Sequence, residues 1–190
     1  MEVDRRKPRA DALRNRERLI EAAKEVLGRG GPEASLEAVA RRAEVGTGTL
    51  YRHFPTREEL FQAVYRHEVE QLIRLARDLN CADTAVEALR AWTHAYVGLV
   101  ATKRGILGAL AVVLTEESKA MYAELSVRVT EAVNTLLARA ILAGEIRPDI
   151  RADDLLQAIF ALCYARQPEP GWEPQVLRLL DIFIDGLKAP

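Results

Sequence analysis

The sequence predicts an all-α protein of about nine helices, a three-helix head followed by a longer helical bundle. Three observations carry this expectation. Apolar residues recur at helical spacing along most of the 190 residues, and no run alternates with the period of a strand. The breaks between these stretches hold helix-stop and helix-start residues: glycine, proline, serine and threonine. The stretches are also short up to about Phe54 and long beyond it.

A first helix is expected from about Asp11, a candidate N-cap, through Leu13, Leu19, Ile20, Ala23, Val26 and Leu27. It should end at Gly28-Arg29-Gly30-Gly31-Pro32. Ser35 can cap a short second helix that keeps Leu36, Val39, Ala40 and Ala43 on one side. A third runs from Thr47 to about Phe54, where Pro55 pushes the preceding residue out of the helical region. Thr56-Arg57-Glu58-Glu59 reads as a capping box. It opens a long helix through Leu60, Phe61, Val64, Leu72, Leu75 and Leu79. Five more helices are expected near 83–102, 104–114, 117–143, 152–166 and 174–188. Their breaks are Asn80-Cys81, Lys103-Arg104-Gly105, Gly144 with Pro148, and QPEPGWEP.

Composition narrows the class. Hydrophobic residues make up 49% and charged residues 29%, ordinary for a globular chain and far from the disordered range. The longest near-apolar run, Gly105 to Leu114, is too short to cross a bilayer. The charged segment from Glu2 to Arg9 lacks the apolar core of a secretory signal. Cys81 and Cys163 lie far apart in no motif, which suits a reducing compartment. A cytoplasmic protein with no membrane partner is the expectation. The net charge of −1 hides a gradient: 13 Lys/Arg against 9 Asp/Glu through Arg57, then 14 against 19. Such a basic excess, concentrated in RRKPR at 5–9 and Arg14, Arg16 and Arg18, suits a polyanion. An enzyme is not expected. His53, His67 and His94 form no HExxH pair and no Cys/His cluster with zinc spacing. No strand precedes a phosphate-binding loop, so neither a metal nor a cofactor is implied.

The third helix is the informative element. On a helical wheel of about 100° per residue, Leu50, Phe54 and Thr47 share the side facing the second helix. Gly48, Thr49 and Arg52 point away, with Tyr51 and His53 on the two shoulders. Small outward residues let a backbone approach closely, and an arginine fork suits guanine or phosphate. A tyrosine hydroxyl and a histidine N–H could reach the phosphate walls of a major groove. Two short helices with the second exposed and polar match a helix-turn-helix reader of double-stranded DNA.

The segment SLEAVARRAEVGTGTLYRHFPTREELFQAV, residues 35–64, resembles the DNA-binding segment of TetR/AcrR-type transcriptional regulators. Its most specific core is GTLYRHFPTREEL. The resemblance implies a DNA-binding domain over 1–56 and an effector-binding and dimerisation domain over 57–190. It also implies that Thr47, Gly48, Thr49 and Arg52 lie near bases, and that Tyr51, His53, Ser35 and Arg57 contact the DNA backbone. Arg57 stands where a lysine is more usual. Glu44 departs further, because the family commonly has glycine in that turn. A positive φ there would strain Glu44 by about 1 kcal/mol.

Farther along, AGEIRPDIRADDLLQAIFAL at 143–162 supports the same resemblance. The two C-terminal helices are apolar nearly all round, which suggests burial against a second subunit across a two-fold axis. Leu155, Ile159, Leu162, Val176, Leu180, Phe183 and Leu187 are the candidate dimer contacts. In similar proteins the bundle holds a small apolar or amphipathic effector. Candidate lining residues are Trp92, Tyr96, Met121, Tyr122, Leu125, Phe160 and Tyr164; His94 reads as a satisfied interior histidine. The expected function is a homodimeric repressor of a near-palindromic operator, released by its effector. The alternative is an architectural or division-control protein using the same head.

Overall fold

The structure, a computed structural model, describes residues 6–28, 34–82, 84–110, 115–165 and 172–189. Within them lie eight helices: α1 Arg6–Gly28, α2 Leu36–Arg42, α3 Thr47–His53, α4 Arg57–Leu79, α5 Ala85–Leu110, α6 Glu116–Leu142, α7 Ala152–Tyr164 and α8 Trp172–Asp185. The described residues form no strand, only a single antiparallel bridge between Ile146 and Lys188. Residues 29–33 of the first expected break, 111–114, and 166–171 of the last break lie outside the described residues, as do the side chains of RRKPR.

The chain divides into two compact units. One comprises Met1–His67 and Thr102–Leu114, the other Glu68–Ala101 and Thr115–Pro190. In the first unit α1 packs on α2 and α2 on α3. Its core holds Leu19, Leu27, Val39, Leu50, Phe54 and Phe61, all essentially buried. Burying each such side chain stabilises the fold by about 1.5–3 kcal/mol. α1 begins at Arg6 and not at Asp11. Pro8 falls in the first turn, where an amide has no intrahelical acceptor to lose, and Asp11 pairs with Arg14 one turn on.

The expected break at Lys103-Arg104-Gly105 does not occur, which is why eight helices stand where about nine were expected. Gly105 serves proximity instead: a Cβ there would collide with the backbone of Gly28. The glycine lets α5 lie against the end of α1, and the helix pays only the modest propensity cost.

The second unit is tied together at helix ends. Arg139 of α6 donates to the carbonyl of Leu79 at 3.0 Å and to that of Ala82, satisfying the end of α4. Glu145 accepts from the amides of Ala85 at 3.1 Å and Val86 at 2.8 Å, so its carboxylate caps the start of α5. Those backbone donors hold the Glu145 carboxyl below its ordinary range. α6 itself ends in a Schellman motif. Gly144 has φ 70°, with Gly144 N–H donating to Ile141 and Glu145 N–H to Ala140, both at 3.0 Å.

α5 and α8 are joined by charge. Arg90 bonds Asp181 at 2.9 Å and Asp185 at 2.7 Å, while His94 Nε2 lies 2.8 Å from the same Asp181 oxygen. His94 is therefore paired, as expected, but it is half-buried and not interior. Trp92 is fully buried, and its indole N–H donates to the Leu72 carbonyl at 3.1 Å. No described helix is long and apolar enough to cross a membrane.

Two expectations for the bundle are corrected. Leu155, Ile159, Val176, Leu180 and Leu187 are buried within the single chain, and Leu162 and Phe183 are half-buried. The apolar side chains left in solvent on α7 and α8 are Phe160, Tyr164, Leu179 and Ile182, the last 63% exposed. A helix apolar on every side does not reveal which side its own chain covers. Phe160 and Tyr164 thereby leave the expected cavity; they stack on each other at 4.3 Å. Trp92, Met121 and Leu125 remain interior, with Tyr96 and Tyr122 half-buried. A separate groove of about 320 Å³ lies between α4 and α6, lined by Ile73, Ala76, Arg77, Asn80, Arg128 and Thr135 among others. None of the expected cavity residues lines it.

Candidate nucleic-acid interface

The interface is built by two short helices and the starts of their neighbours. Ser35 is the N-cap of α2, with its hydroxyl accepting from Ala38 N–H at 3.1 Å. That leaves the hydroxyl proton able to donate outward. α2 ends in a second Schellman motif. Glu44 N–H donates to Arg41 at 3.1 Å and Val45 N–H to Ala40 at 3.0 Å. The residue in the left-handed position is Glu44, at φ 54°, so the positive φ raised by the sequence is present without a glycine. Its carboxylate accepts from Arg18 at 2.6 Å.

α3 then starts at Thr47 behind Gly46, an N-cap that makes no side-chain hydrogen bond, while the Thr49 amide donates to the Gly46 carbonyl at 2.9 Å. Leu50 is the only buried residue of the helix, and Phe54 at its C-cap is buried behind it. These two anchors match the wheel. Thr47 does not: it is exposed. The wheel gives angle alone, whereas Thr47 is the first residue of α3, nearly a turn before the buried Leu50. Exposure at Thr47 nevertheless suits a DNA-facing residue.

The outward face is otherwise as expected in placement. Gly48, Tyr51 and Arg52 are exposed, Thr49 and His53 half-buried. A Cβ at Gly48 would meet nothing within 4 Å, so no internal packing asks for glycine there. Arg52 is folded along the helix. Its Nε donates to the Gly48 carbonyl and its Nη2 to the Thr49 hydroxyl, each at 3.1 Å. Arg57 begins α4, preceded by Thr56, which accepts from Glu59 N–H at 3.1 Å as the capping box predicts. Thr47, Gly48, Thr49, Tyr51, Arg52 and His53 thus lie on α3, with Ser35 at the start of α2 and Arg57 at the start of α4. Of the basic residues on α1, Arg16 sets its guanidinium 5.1 Å over the Phe54 ring and Arg18 pairs with Glu44. Charge periodicity on α1 alone could not reveal their partners.

Comparison with known proteins agrees with this geometry. Residues 19–64 match the model of bacterial regulatory proteins of the tetR family. Residues 84–189 match the C-terminal domain of SbtR-like transcriptional regulators. The crystal structure of the TetR transcriptional regulator SCO0520 from Streptomyces coelicolor is 37% identical, covers 92% of this chain and 98% of its own, and superposes with a TM-score of 0.77. A TetR regulatory protein from Mycobacterium vanbaalenii is 32% identical over 95% of this chain and 99% of its own, with a TM-score of 0.71. The regulator UidR of Escherichia coli K12 is 27% identical over 94% of this chain and 92% of its own. These relatives are regulators, not enzymes, and the chain belongs to the TetR family of DNA-binding transcriptional regulators.

Proposed function

We propose that the protein is a cytoplasmic repressor that binds a near-palindromic operator as a homodimer and is released by a small apolar or amphipathic effector. Residues 1–56 read DNA and residues 57–190 dimerise and sense. The observation that carries the reading is α3 itself: it buries one side chain, Leu50, and presents a glycine that nothing inside the protein requires. A helix so weakly committed to its own core is suited to close approach by another backbone. Thr47, Gly48, Thr49 and Arg52 lie toward bases; Tyr51, His53, Ser35 and Arg57 meet phosphates. Repression is supported by the KstR repressor of Mycolicibacterium smegmatis, 40% identical over 58 residues and 30% of this chain. The exposed apolar group on α7 and α8, Phe160, Tyr164, Leu179 and Ile182, is the self-complementary surface for the dimer.

For release, an effector must bind the two states of the dimer with different affinity. The interior around Trp92, Met121 and Leu125 is the candidate place for it. The decisive experiment selects bound duplexes from a random pool and titrates the best in a gel shift. Tyr51→Ala with Arg52→Ala should abolish binding while sedimentation still shows a dimer. Unchanged DNA affinity in that variant would remove α3 as the reader.

A further inference from the structure

The turn that leads into α3 holds an ion pair whose position matters. Glu44 precedes the N-cap of α3 by two residues, so the Arg18 guanidinium held on it at 2.6 Å stands at the edge of the reading helix. Both side chains are open to water, Glu44 at 82% and Arg18 at 45%. An exposed pair of this kind contributes about 0–1 kcal/mol to stability. At most it balances the strain of a carboxylate-bearing residue at φ 54°, itself about 1 kcal/mol. Folding alone therefore gives no reason for a glutamate at this position. Electrostatics does: a carboxylate on an exposed arginine, in the turn before α3, cancels a charge that a nearby phosphate would attract.

We infer that Glu44 is an affinity-setting residue that holds Arg18 off the DNA backbone, lowering sequence-independent binding while leaving the base-reading face of α3 untouched. This rests on the reading of α3 as the DNA-facing helix. Phosphate contacts supply most non-specific affinity, whereas base contacts supply discrimination. Withholding one phosphate contact weakens binding to every duplex by a similar factor. The ratio of operator to non-specific affinity is then unchanged, so the pair sets overall affinity and salt dependence.

The test uses the full-length protein and a mixed-sequence duplex, with the selected operator in parallel. Glu44→Gln keeps a non-glycine residue in the turn and removes the charge. Each phosphate contact contributes about 0.9 to the slope of log affinity against log salt, or about threefold between 50 and 200 mM. The Gln variant should bind the mixed duplex more tightly at low salt, with a slope steeper by about one contact. In an Arg18→Ala background the same substitution should change neither. A slope equal to the wild type's, or a gain that persists without Arg18, overturns the inference while leaving DNA binding intact. Wild-type protein that binds no duplex from the pool removes the underlying reading as well.

Discussion

Two helices of this protein end in the same hydrogen-bonded turn, built from different residues. At the end of α6 the left-handed position is Gly144, φ 70°, and at the end of α2 it is Glu44, φ 54°. Each turn closes the same pair of backbone bonds. Beyond Gly144 the chain is immediately put to structural use. Glu145 caps α5, its carbonyl accepts from Ala189 N–H at 3.0 Å, and Arg147 N–H bonds Leu187 at 2.9 Å. Beyond Glu44 comes α3, and the glutamate's carboxylate accepts from the exposed Arg18. The bundle turn takes the residue that relaxes the backbone, and the head turn takes one that strains it. Conformational ease is present where the turn serves stability and absent where it leads into α3.

A third position sets the upper end of the comparison. Gly105 is needed for its missing Cβ and not for its φ, so Gly105→Ala should destabilise by about 3 kcal/mol through forced overpacking. Gly28→Ala, where the nearest atoms would be Thr102 atoms at 3.6 Å, should be tolerated. Paired denaturant melts would separate them, and equal midpoints would contradict the close approach. Next comes Gly144→Ala. Its Cβ would meet nothing within 4 Å, so only the left-handed backbone is penalised, by about 1 kcal/mol. Glu44→Gly should act in the opposite direction, raising stability by at most about 1 kcal/mol. Part of the relief is lost to the added freedom of the unfolded chain. Opposite signs in thermal melts sharpen the comparison, and a common sign breaks it.

The smallest expected effect is a dependence on pH confined to the bundle. Asp181 is partly desolvated, which raises its pKa, yet hydrogen bonds from Arg90 and His94 hold it below the ordinary range. Bonds from Lys188 and Arg90 do the same for Asp185, and the Val86 and Ala85 amides for Glu145. For carboxyls depressed in the folded state the stabilisation is complete above the unfolded value of about 4 and is lost as pH falls through the folded values. Melting temperature should hold from pH 7 to about pH 5 and decline below about 4. Arg90→Met should flatten that decline, and a decline identical to the wild type's would show that this cluster does not set it.

The sequence was most readable where local chemistry decides the outcome. Ser35 capping α2, Thr56 capping α4 and Pro55 closing α3 each act within a few residues, so single stretches disclosed them. The face of α3 was legible for Leu50 and Phe54 but not for Thr47, because a wheel records angle and ignores position along the helix, and Thr47 is its first residue. Partners distant in sequence were out of reach. Arg139 on Leu79, Glu145 on Val86 and Arg18 on Glu44 are separated by 60, 59 and 26 positions. Gly105 reads as a helix breaker until Gly28 is found against it. On α7 and α8 apolar content was plain, but the division into covered and uncovered sides required the packed chain.

The hydrogen bonds that lay Arg52 along α3 have a thermodynamic consequence for recognition. An arginine free in water occupies many rotamers, and ordering them on binding costs up to about 1.5–2 kcal/mol. Here the Gly48 carbonyl and the Thr49 hydroxyl already restrict the side chain. Part of that ordering is complete before any duplex arrives. On the proposed reading of α3, the guanidinium would meet DNA as a semi-rigid extension of the helix, its direction set by Gly48 and Thr49. Preorganisation of this kind favours slow dissociation from a matching sequence and exacts a penalty at a mismatched one, where the fixed fork finds no acceptor.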